Sequence, residues 1–294
     1  MNIISHDDKS KVCLIHLVRQ CNGIDVFKAF VTAYKQHNAG VGHTLLLVLK
    51  GFDEDEGLSV YRDCINGIEY LEFFVDDQGF DIGSYMEAFQ AYRGGFKYFC
   101  FLNSYSEPLC ESWLELMFRH INLPGVGIVG ATGSFQSLSS SAEFKTYTYA
   151  RSFKLFRKLI LRLILPIYCL RFRPFFPFFP NAHVRTNGFL VSTKVLDNVI
   201  VHTVKDKMGA YRFESGRNSL TRQIQKMGLR PLIADADGKS YEVSDWPFSN
   251  VFRRSEQENL LILDNQTRAY LEGDQNLKVR YSFYAWGKNS YPDH

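Results

Sequence analysis

The stretch VCLIHLV, residues 12–18, decides the fold, because it is almost wholly apolar along its length. Such a run is typical of a parallel strand that is buried on both faces. Four more runs of this kind follow at 44–49, 69–75, 98–102 and 126–130, and segments with helical spacing separate them at 23–37, 58–66, 82–92 and 109–120. This alternation predicts an α/β fold with a Rossmann-like, mostly parallel sheet flanked by helices.

Composition limits the class of protein. The chain has 294 residues, of which 46% are hydrophobic and 22% charged, and its formal net charge is +3. These values support a large core and exclude both a disordered and a strongly basic protein. The six cysteines form no C-x-x-C pair, and Cys13, Cys100, Cys110 and Cys169 lie in or beside apolar runs, which indicates buried free thiols in a reducing compartment. Residues 1–11 are polar and lack a signal-peptide core, so we expect a cytoplasmic protein.

Acidic side chains follow the third apolar run. Asp76 and Asp77 come at its end, and Asp81 opens the next helix. Ligands of parallel sheets bind beyond the carboxyl ends of the strands, where Arg19 also lies at the end of the first run. The carboxylates could therefore accept hydrogen bonds from a ribose or a base. The alternative for Asp81 is a helix N-cap.

Three further polar stretches stand out. The first is NSYSE, residues 103–107, where only Glu107 is acidic, so it predicts either a weak Mg²⁺ or Mn²⁺ site or an ordinary polar turn. In the second, HVRTN at 183–187, Arg185 suits a diphosphate, whereas a lone His183 is more often structural. In the third, FESGR at 213–217, Glu214 is either a general base or part of a helix cap.

Together these stretches resemble the GT-A-fold glycosyltransferases, and more narrowly the bacterial transferases of O-antigen, capsule and rhamnan-type polysaccharide synthesis. Those proteins have an N-x-G-x-D-I-G-x-Y-like stretch after the third strand, here DQGFDIGSY at 77–85. They also have an H-[IV]-R-T-N-x-F stretch, here HVRTNGF at 183–189, and a later acidic motif to which FESG at 213–216 is similar. The D-x-D metal motif of the family is replaced by NSYS at 103–106.

The resemblance implies one GT-A-like domain over 1–294, with a nucleotide-sugar-binding half at 11–140 and an acceptor and catalytic half at 181–294. It implies a hexosyltransferase that moves a sugar from a nucleoside diphosphate-sugar, with a UDP-sugar favoured, to a growing surface polysaccharide or lipid-linked glycan. Inversion with Glu214 as the base is the favoured mechanism. The implied donor-binding residues are Arg19, Asp76, Asp77, Asp81, Gly83, Asn103, Ser104, Arg185 and Asn187. The residues implied at the acceptor or behind the site are His183, Ser215 and Arg217. No cofactor is required by the motifs, although Glu107 leaves room for Mn²⁺ or Mg²⁺.

The segment 144–180 is basic and aromatic. From 144 to 196 there are ten Lys or Arg and no Asp or Glu, and Lys154, Arg157, Lys158 and Arg162 recur at helical spacing. This predicts a basic amphipathic insertion whose residues 151–179 lie on the cytoplasmic face of the inner membrane, where lipid-linked acceptors are found. The alternatives are a packed surface helix or an oligomer contact. Nucleic acid is disfavoured because no RNP-like motif accompanies the segment.

A second function remains open, namely a catalytically inactive, nucleotide-sugar-binding subunit of a polysaccharide assembly complex. The missing D-x-D motif is its support. The chain has no P-loop, no G-x-G-x-x-G fingerprint, no G-x-S-x-G elbow and no H-E-x-x-H helix. P-loop NTPases, hydrolases with that elbow and zincins are therefore not favoured.

Overall fold

The computed structural model describes residues 12–52, 57–140, 169–202, 204 and 206–290. Within them the strands are β1 Val12–Arg19, β2 His43–Lys50, β3 Tyr70–Val75, β4 Tyr98–Leu102, β5 Glu107–Pro108, β6 Val126–Gly130, β7 Gly133–Ser134, β8 His183–Val184, β9 Gly188–Ser192, β10 Arg230–Ala234, β11 Ser240–Tyr241 and β12 Ile262–Leu263. The α-helices are α1 Ile24–Gln36, α2 Leu58–Cys64, α3 Phe80–Tyr92, α4 Trp113–Ile121, α5 Thr193–Leu196, α6 Lys207–Ser215, α7 Leu220–Lys226, α8 Asn265–Leu271 and α9 Gln275–Trp286.

An eight-stranded sheet forms the centre, in the order β11-β10-β6-β9-β4-β1-β2-β3. Strand β1 pairs in parallel with β2 and β4, β2 with β3, and β6 with β10. The predicted α/β fold with a mostly parallel sheet is confirmed. Strand β9 runs antiparallel to both of its neighbours, β4 and β6. An apolar strand looks the same in either direction, so the sequence did not reveal this reversal.

Each face of the sheet has its own apolar core. Along β1, Cys13, Ile15 and Leu17 join the core beneath α3 and α7, and Leu14 and Val18 join the core beneath α1 and α4. This alternation follows from the two-residue period of a strand. With both faces covered, ligands have access to the sheet at its edges and at the ends of its strands.

The C-terminal helices were not predicted. In α9 the apolar side chains are spread around the helix, so the sequence lacks the stripe that marks an amphipathic helix. The helix is fixed instead at its two ends. The carboxylate of Asp274 caps its first turn by accepting from the amide of Leu277, and the indole of Trp286 donates to the backbone oxygen of Phe252 at 2.7 Å.

The six cysteines are free, as predicted. Cys13, Cys100 and Cys169 are buried, Cys64 and Cys110 are half-buried, and Cys21 is exposed. Burial therefore holds for three of the four cysteines that lie in or beside apolar runs; Cys110 is the exception.

Only part of the predicted basic insertion can be compared with the structure. The predicted helix at 151–162, with Lys154, Arg157, Lys158 and Arg162, lies outside the described residues. In the described part, 169–180, Phe172 and Phe176 form a small buried cluster with Cys169. No helix among the described residues is long and apolar enough to cross a membrane.

Candidate functional site

A cavity of about 1000 Å³ opens at the carboxyl ends of β1, β2 and β3. Its walls are the ends of these strands, one side of α3 and the segment before α6. The lining residues are Arg19, Lys50, Asp77, Gln78, Gly79, Phe80, Gly83, Met86, Glu87, Gln90, Val199, Val201, His202 and Val204. We call it the first cavity. Three of the predicted donor residues, Arg19, Asp77 and Gly83, line it together.

Arg19 and Asp77 form a two-pronged ion pair at the mouth of the first cavity. The guanidinium donates from Nε to Oδ1 at 2.7 Å and from Nη2 to Oδ2 at 2.8 Å. The hydrogen bonds from Arg19 lower the pKa of the Asp77 carboxyl, so the carboxylate form is favoured. Asp76 is exposed beside the pair. The two parallel hydrogen bonds fix the orientation of the Arg19 side chain at the carboxyl end of β1.

Lys50, which sequence reasoning missed, is 1% exposed and ends β2. Its Nζ donates to the backbone oxygens of Gln78 at 2.5 Å and Phe80 at 2.6 Å, and to Ser84 Oγ at 3.0 Å. Burial lowers the pKa of Lys50, and the nearby Asp81 and Asp77 oppose that shift. The ammonium therefore anchors the turn between Asp77 and Asp81. The available signal was a lone lysine that ends a buried strand.

Asp81 lies in the first turn of α3, half-buried. The N-cap position belongs to Gly79, and no side chain caps the helix, so the interpretation of Asp81 as the cap is wrong. Burial raises the pKa of Asp81; Lys50 and Arg19 oppose the shift and Glu214 adds to it. Gly79 has a φ of +72°, which favours glycine, whereas a Cβ on Gly83 would meet the Gln78 oxygen only at 3.8 Å.

The 103–107 stretch forms a closed polar turn. Asn103 Oδ1 accepts from the backbone amide of Tyr105 at 3.0 Å, and Ser106 Oγ donates to the backbone oxygen of Asn187 at 2.7 Å. Ser104 is buried and borders a narrow crevice that Arg19 also lines. These bonds match the polar-turn alternative rather than an open binding loop.

The metal candidate Glu107 is already paired. Its Oε1 accepts from Nη2 of Arg268 at 2.5 Å. Among the residues that the structure describes, no three His, Cys, Asp or Glu side chains are grouped so that they could hold a metal ion. The oxygen ligands that this turn offers to a metal ion therefore fit Mn²⁺ or Mg²⁺ poorly, because these ions prefer several carboxylate oxygens.

A second cavity, of about 290 Å³, lies between α6, β7, β8 and the segment before α8. Its lining residues are Ser134, Gln136, Leu138, His183, Arg185, Tyr211, Glu214, Ser215, Phe252, Arg253 and Gln266. The structure thus brings together His183, Arg185, Glu214 and Ser215, which the sequence places in two separate stretches. None of the residues that the structure describes lines both cavities.

Glu214 lies in the last turn of α6 and is half-buried. Helix α7 is capped by Ser219, whose hydroxyl accepts from the amide of Arg222, so the helix-cap role for Glu214 is wrong. The charge of Glu214 raises the pKa of Asp81 and opposes the fall in the pKa of His183. The Glu214 carboxylate therefore lies in the wall of the second cavity with His183, and it also interacts electrostatically with Asp81, which lines neither cavity.

His183 is buried, and its Nδ1 lies 2.7 Å from the backbone oxygen of Asn181. A carbonyl oxygen can only accept, so Nδ1 carries the proton. Burial, as the main cause, lowers the pKa of His183. The neutral ring then has Nε2 as an acceptor beside Glu214 in the second cavity.

Arg185 is held from two sides in the second cavity. Its Nη2 is 3.0 Å from Oδ2 of the fully buried Asp264, and its guanidinium lies 4.3 Å from the ring centroid of Phe252. Nearby, Asn187 is 3% exposed; its Oδ1 accepts from Thr132 Oγ1, and its Nδ2 has no hydrogen-bond partner among the described residues.

Arg217 does not line either cavity. It is exposed, and its Nε donates to the backbone oxygen of Arg173 at 3.0 Å, while its amide donates to that of Phe175. It therefore holds the 169–180 segment in place. Arg253, in contrast, was missed by sequence reasoning and lines the second cavity.

No protein-family model matches the chain, and no curated protein matches it in sequence. Among solved structures, a mannosyltransferase from Pyrobaculum calidifontis, in complex with GDP-Man and Mn²⁺, matches at 11% identity over 95% of this chain and 70% of its own, with a TM-score of 0.44. The mannosyltransferase Ktr4p from S. cerevisiae matches at 11% identity over 78% and 69%, with a TM-score of 0.38.

A third match is a Desulfovibrio desulfuricans G20 protein named as a candidate nucleotide-diphospho-sugar transferase. It is 20% identical over 41% of this chain and 57% of its own, with a TM-score of 0.30. This chain therefore spans less than two thirds of that protein. These likenesses concern partial overall shape only.

Proposed function

We propose that the protein is a glycosyltransferase that uses a nucleoside diphosphate-sugar. The observation that carries the proposal is the presence of two cavities, one with Arg19 and Asp77 in its wall and a second that is lined by His183, Arg185 and Glu214. One cavity is large enough for a nucleoside diphosphate-sugar, and the other presents a carboxylate to a smaller polar space. A two-substrate transfer needs such an arrangement, with the reacting atoms between the two sites.

In this proposal the nucleoside of the donor occupies the first cavity, and its diphosphate extends toward the second. The carboxylates of Asp76, Asp77 and Asp81 accept hydrogen bonds from the base and the ribose, and Arg19 faces the same ligand. A UDP-sugar is the favoured donor, as the resemblance implies. Arg185 and helix N-termini offset the charge of the diphosphate. Gly83, Asn103, Ser104 and Asn187 complete the predicted donor set.

Glu214 acts as the base. It takes the proton from an acceptor hydroxyl, whose oxygen then bonds to the anomeric carbon while the bond from that carbon to the diphosphate oxygen breaks. The nucleoside diphosphate leaves with the bonding electrons, and the anomeric configuration inverts. His183 and Ser215 support the acceptor side. Because the 103–107 turn is a poor fit for a divalent ion, cationic side chains and backbone N–H groups must stabilise the leaving charge.

The acceptor in this proposal is a growing surface polysaccharide or a lipid-linked glycan. The basic composition of 151–179 supports peripheral binding at the cytoplasmic face of the inner membrane. Sedimentation with anionic vesicles at low salt tests this part. Wild type that stays in the supernatant would contradict it, as would full binding by a variant with Lys154, Arg157, Lys158 and Arg162 changed to Glu.

A second candidate is a catalytically inactive subunit that binds a nucleotide-sugar. The carboxylate-poor turn at 103–106 and the pairing of Glu107 favour it. One experiment separates the candidates. Nucleoside diphosphates and nucleotide-sugars are screened for a rise in melting temperature, with and without Mn²⁺, because a bound ligand stabilises the native state.

The best ligand of that screen is then incubated with glycan acceptors while release of nucleoside diphosphate is followed. Binding with turnover supports the transferase. Binding without turnover on any acceptor supports the inactive subunit. Absence of any stabilisation by the whole nucleotide panel contradicts both functions.

A further inference from the structure

Arg253 is a buried cation without a carboxylate partner. It is 6% exposed and lines the second cavity. Its Nη2 donates to Oε1 of Gln266 at 2.7 Å and its Nη1 to Oε1 of Gln136 at 3.4 Å, and both partners are neutral amide oxygens. Its Nε is buried and has no hydrogen-bond partner among the described residues.

The nearby acid does not neutralise this charge. Asp264 is fully buried and forms its ion pair with Arg185. Within the part of the chain that the structure describes, no Asp or Glu oxygen lies within 4.0 Å of a nitrogen of Arg253. Burial and the charge of Arg185 lower the pKa of Arg253 to about 10, which still leaves it a cation at neutral pH. Buried charges in proteins are normally paired with an opposite charge.

The protein holds this cation rigidly. The guanidinium lies 4.8 Å from the ring centroid of Phe252 and 4.4 Å from that of Tyr281. The backbone oxygen of Arg253 accepts from Ser282 Oγ at 2.6 Å, and its amide donates to Gln257 Oε1 at 2.8 Å. Its φ of +47° is in the left-handed region, which is unfavourable for a bulky residue and is found more often at ligand sites.

We propose that the second cavity binds an oxyanion group, a phosphate or a carboxylate, and that Arg253 is the residue that holds it. A planar guanidinium matches both groups, because two of its N–H bonds can reach two oxygens. A space of about 290 Å³ holds a phosphate or one acidic sugar. The bound anion would provide the negative charge that pairs with Arg253.

The identity of the anion follows from the proposed function, on which this step rests. Glu214 lines the same cavity, so the anionic group belongs to a substrate positioned beside the base. Two sources share this chemistry. One is the diphosphate of the donor, and the other is an acidic group on the acceptor glycan.

The test measures binding and needs no turnover. Wild type, Arg253→Gln and the control Arg254→Gln are titrated with inorganic pyrophosphate, UDP, uridine and glucuronate, and each charged probe is compared with NaCl at equal ionic strength. Arg254 is a suitable control because it is the adjacent arginine, stacks on Phe248 and does not line the cavity. We expect at least one probe to raise the melting temperature of wild type and Arg254→Gln. We expect Arg253→Gln to bind that probe at least tenfold more weakly.

The probes distinguish the sources. A donor diphosphate predicts that Arg253→Gln weakens pyrophosphate and UDP but leaves uridine unchanged, whereas an acidic acceptor predicts a loss for glucuronate alone. If no probe stabilises wild type beyond NaCl, or if Arg253→Gln binds as well as Arg254→Gln, the site is refuted. Anion binding without sugar transfer would refute the transferase and keep the site.

Folding of the variant is not expected to obscure the result. Arg253→Gln removes a buried charge that has no acidic partner, so the melting temperature of the free protein should stay the same or rise. Arg253→Lys is the second variant, because it keeps the charge and loses the planar fork. It should bind the probe with intermediate affinity, and wild-type affinity in this variant would contradict the role of the fork.

Discussion

The ammonium of Lys50 lies 2.6 Å from the backbone oxygen of Phe80, so the end of β2 is bonded directly to the beginning of α3. The first residues of that helix include Asp81, and the preceding turn follows Asp77. The positions of Asp77, which lines the first cavity, and of Asp81, in the first turn of α3, therefore depend on one buried lysine.

We expect Lys50→Met to destabilise the protein. Methionine keeps most of the apolar volume, but the backbone oxygen of Gln78 loses this donor and that of Phe80 retains only Ser84 Oγ as a side-chain donor, and an unsatisfied buried acceptor costs about 1–3 kcal/mol. The free energy of unfolding in urea should fall by about 2 kcal/mol. Lys35→Met is the control, since Lys35 also donates to two backbone oxygens but is exposed. Equal losses in the two variants would contradict the anchoring role.

Asp81→Asn should stabilise the free protein above neutral pH. Burial raises the pKa of Asp81 over its ordinary value of 3.8, so the folded state holds the proton more tightly than the unfolded state. Wild type therefore loses stability as the pH rises through the folded-state pKa, and the neutral Asn variant does not. The difference in melting temperature should be largest near pH 8 and vanish below pH 3.8.

The control for the loss of a carboxylate in this region is Asp76→Asn, at an exposed neighbouring position. A melting-temperature difference that is constant across pH would contradict the burial argument. Asp81→Ala should also weaken nucleotide-sugar binding in calorimetry while the protein stays folded. Unchanged affinity would remove Asp81 from the donor site.

Asp77→Asn should affect binding more than stability. The Arg19–Asp77 pair is 37% and 42% exposed, and exposed ion pairs contribute about 0–1 kcal/mol. The stability change should stay within that range, while donor affinity falls about tenfold because Arg19 loses its orientation. Glu72→Gln is a matched control, since Glu72 forms the same two-pronged pair with Arg62 away from either cavity. Donor affinity that falls equally in both variants would refute a specific role.

Glu214→Gln should reduce turnover by about 10²–10⁴-fold with donor affinity little changed, because a positioned base acts in the transition state. Glutamine keeps the size and removes the basicity. Glu115→Gln is the control, since Glu115 pairs with Arg119 on α4. His183→Gln tests the other acceptor in the cavity, and a larger loss there than in Glu214→Gln would transfer the role of base to His183. The anomer of the product, read by NMR, checks inversion.

Sugar transfer should survive EDTA at least in part. The turn at 103–106 offers no carboxylate, and Glu107 is engaged by Arg268. Rates are compared in EDTA and after adding Mn²⁺ back in excess. Complete loss in EDTA that Mn²⁺ restores would show that the ligands come from elsewhere in the chain.

The long parallel strands and most of the helices between them could be predicted from the sequence, because runs such as 12–18 and 44–49 are almost wholly apolar. The two-residue strands could not, since β7 and β8 have no periodicity to detect. The helices α8 and α9 were missed because capping residues and contacts at their ends hold them, rather than one apolar stripe along the helix.

The candidate site was predictable where its chemistry is local. The stretches around Asp81, His183 and Glu214 were each recognised, and the structure shows how the second cavity joins two of them. Lys50 and Arg253 were missed because their partners are distant in sequence. Lys50 reaches residues 28 to 34 positions away, and Gln136 is 117 positions from Arg253, so only the folded chain reveals the contacts.

Strand β9 has a consequence for synthesis on the ribosome. It fills the gap between β4 and β6, although it is made about 60 residues after β6. Until residues 188–192 emerge, both neighbours have an unpaired edge, and such edges attract other strands. The nascent chain therefore passes through a stage in which β4, β1, β2 and β3 can pair, while β6 has no partner strand, because its other neighbour β10 is made later still. We expect a fragment that ends at residue 140 to aggregate, even though it contains every helix and strand up to β7.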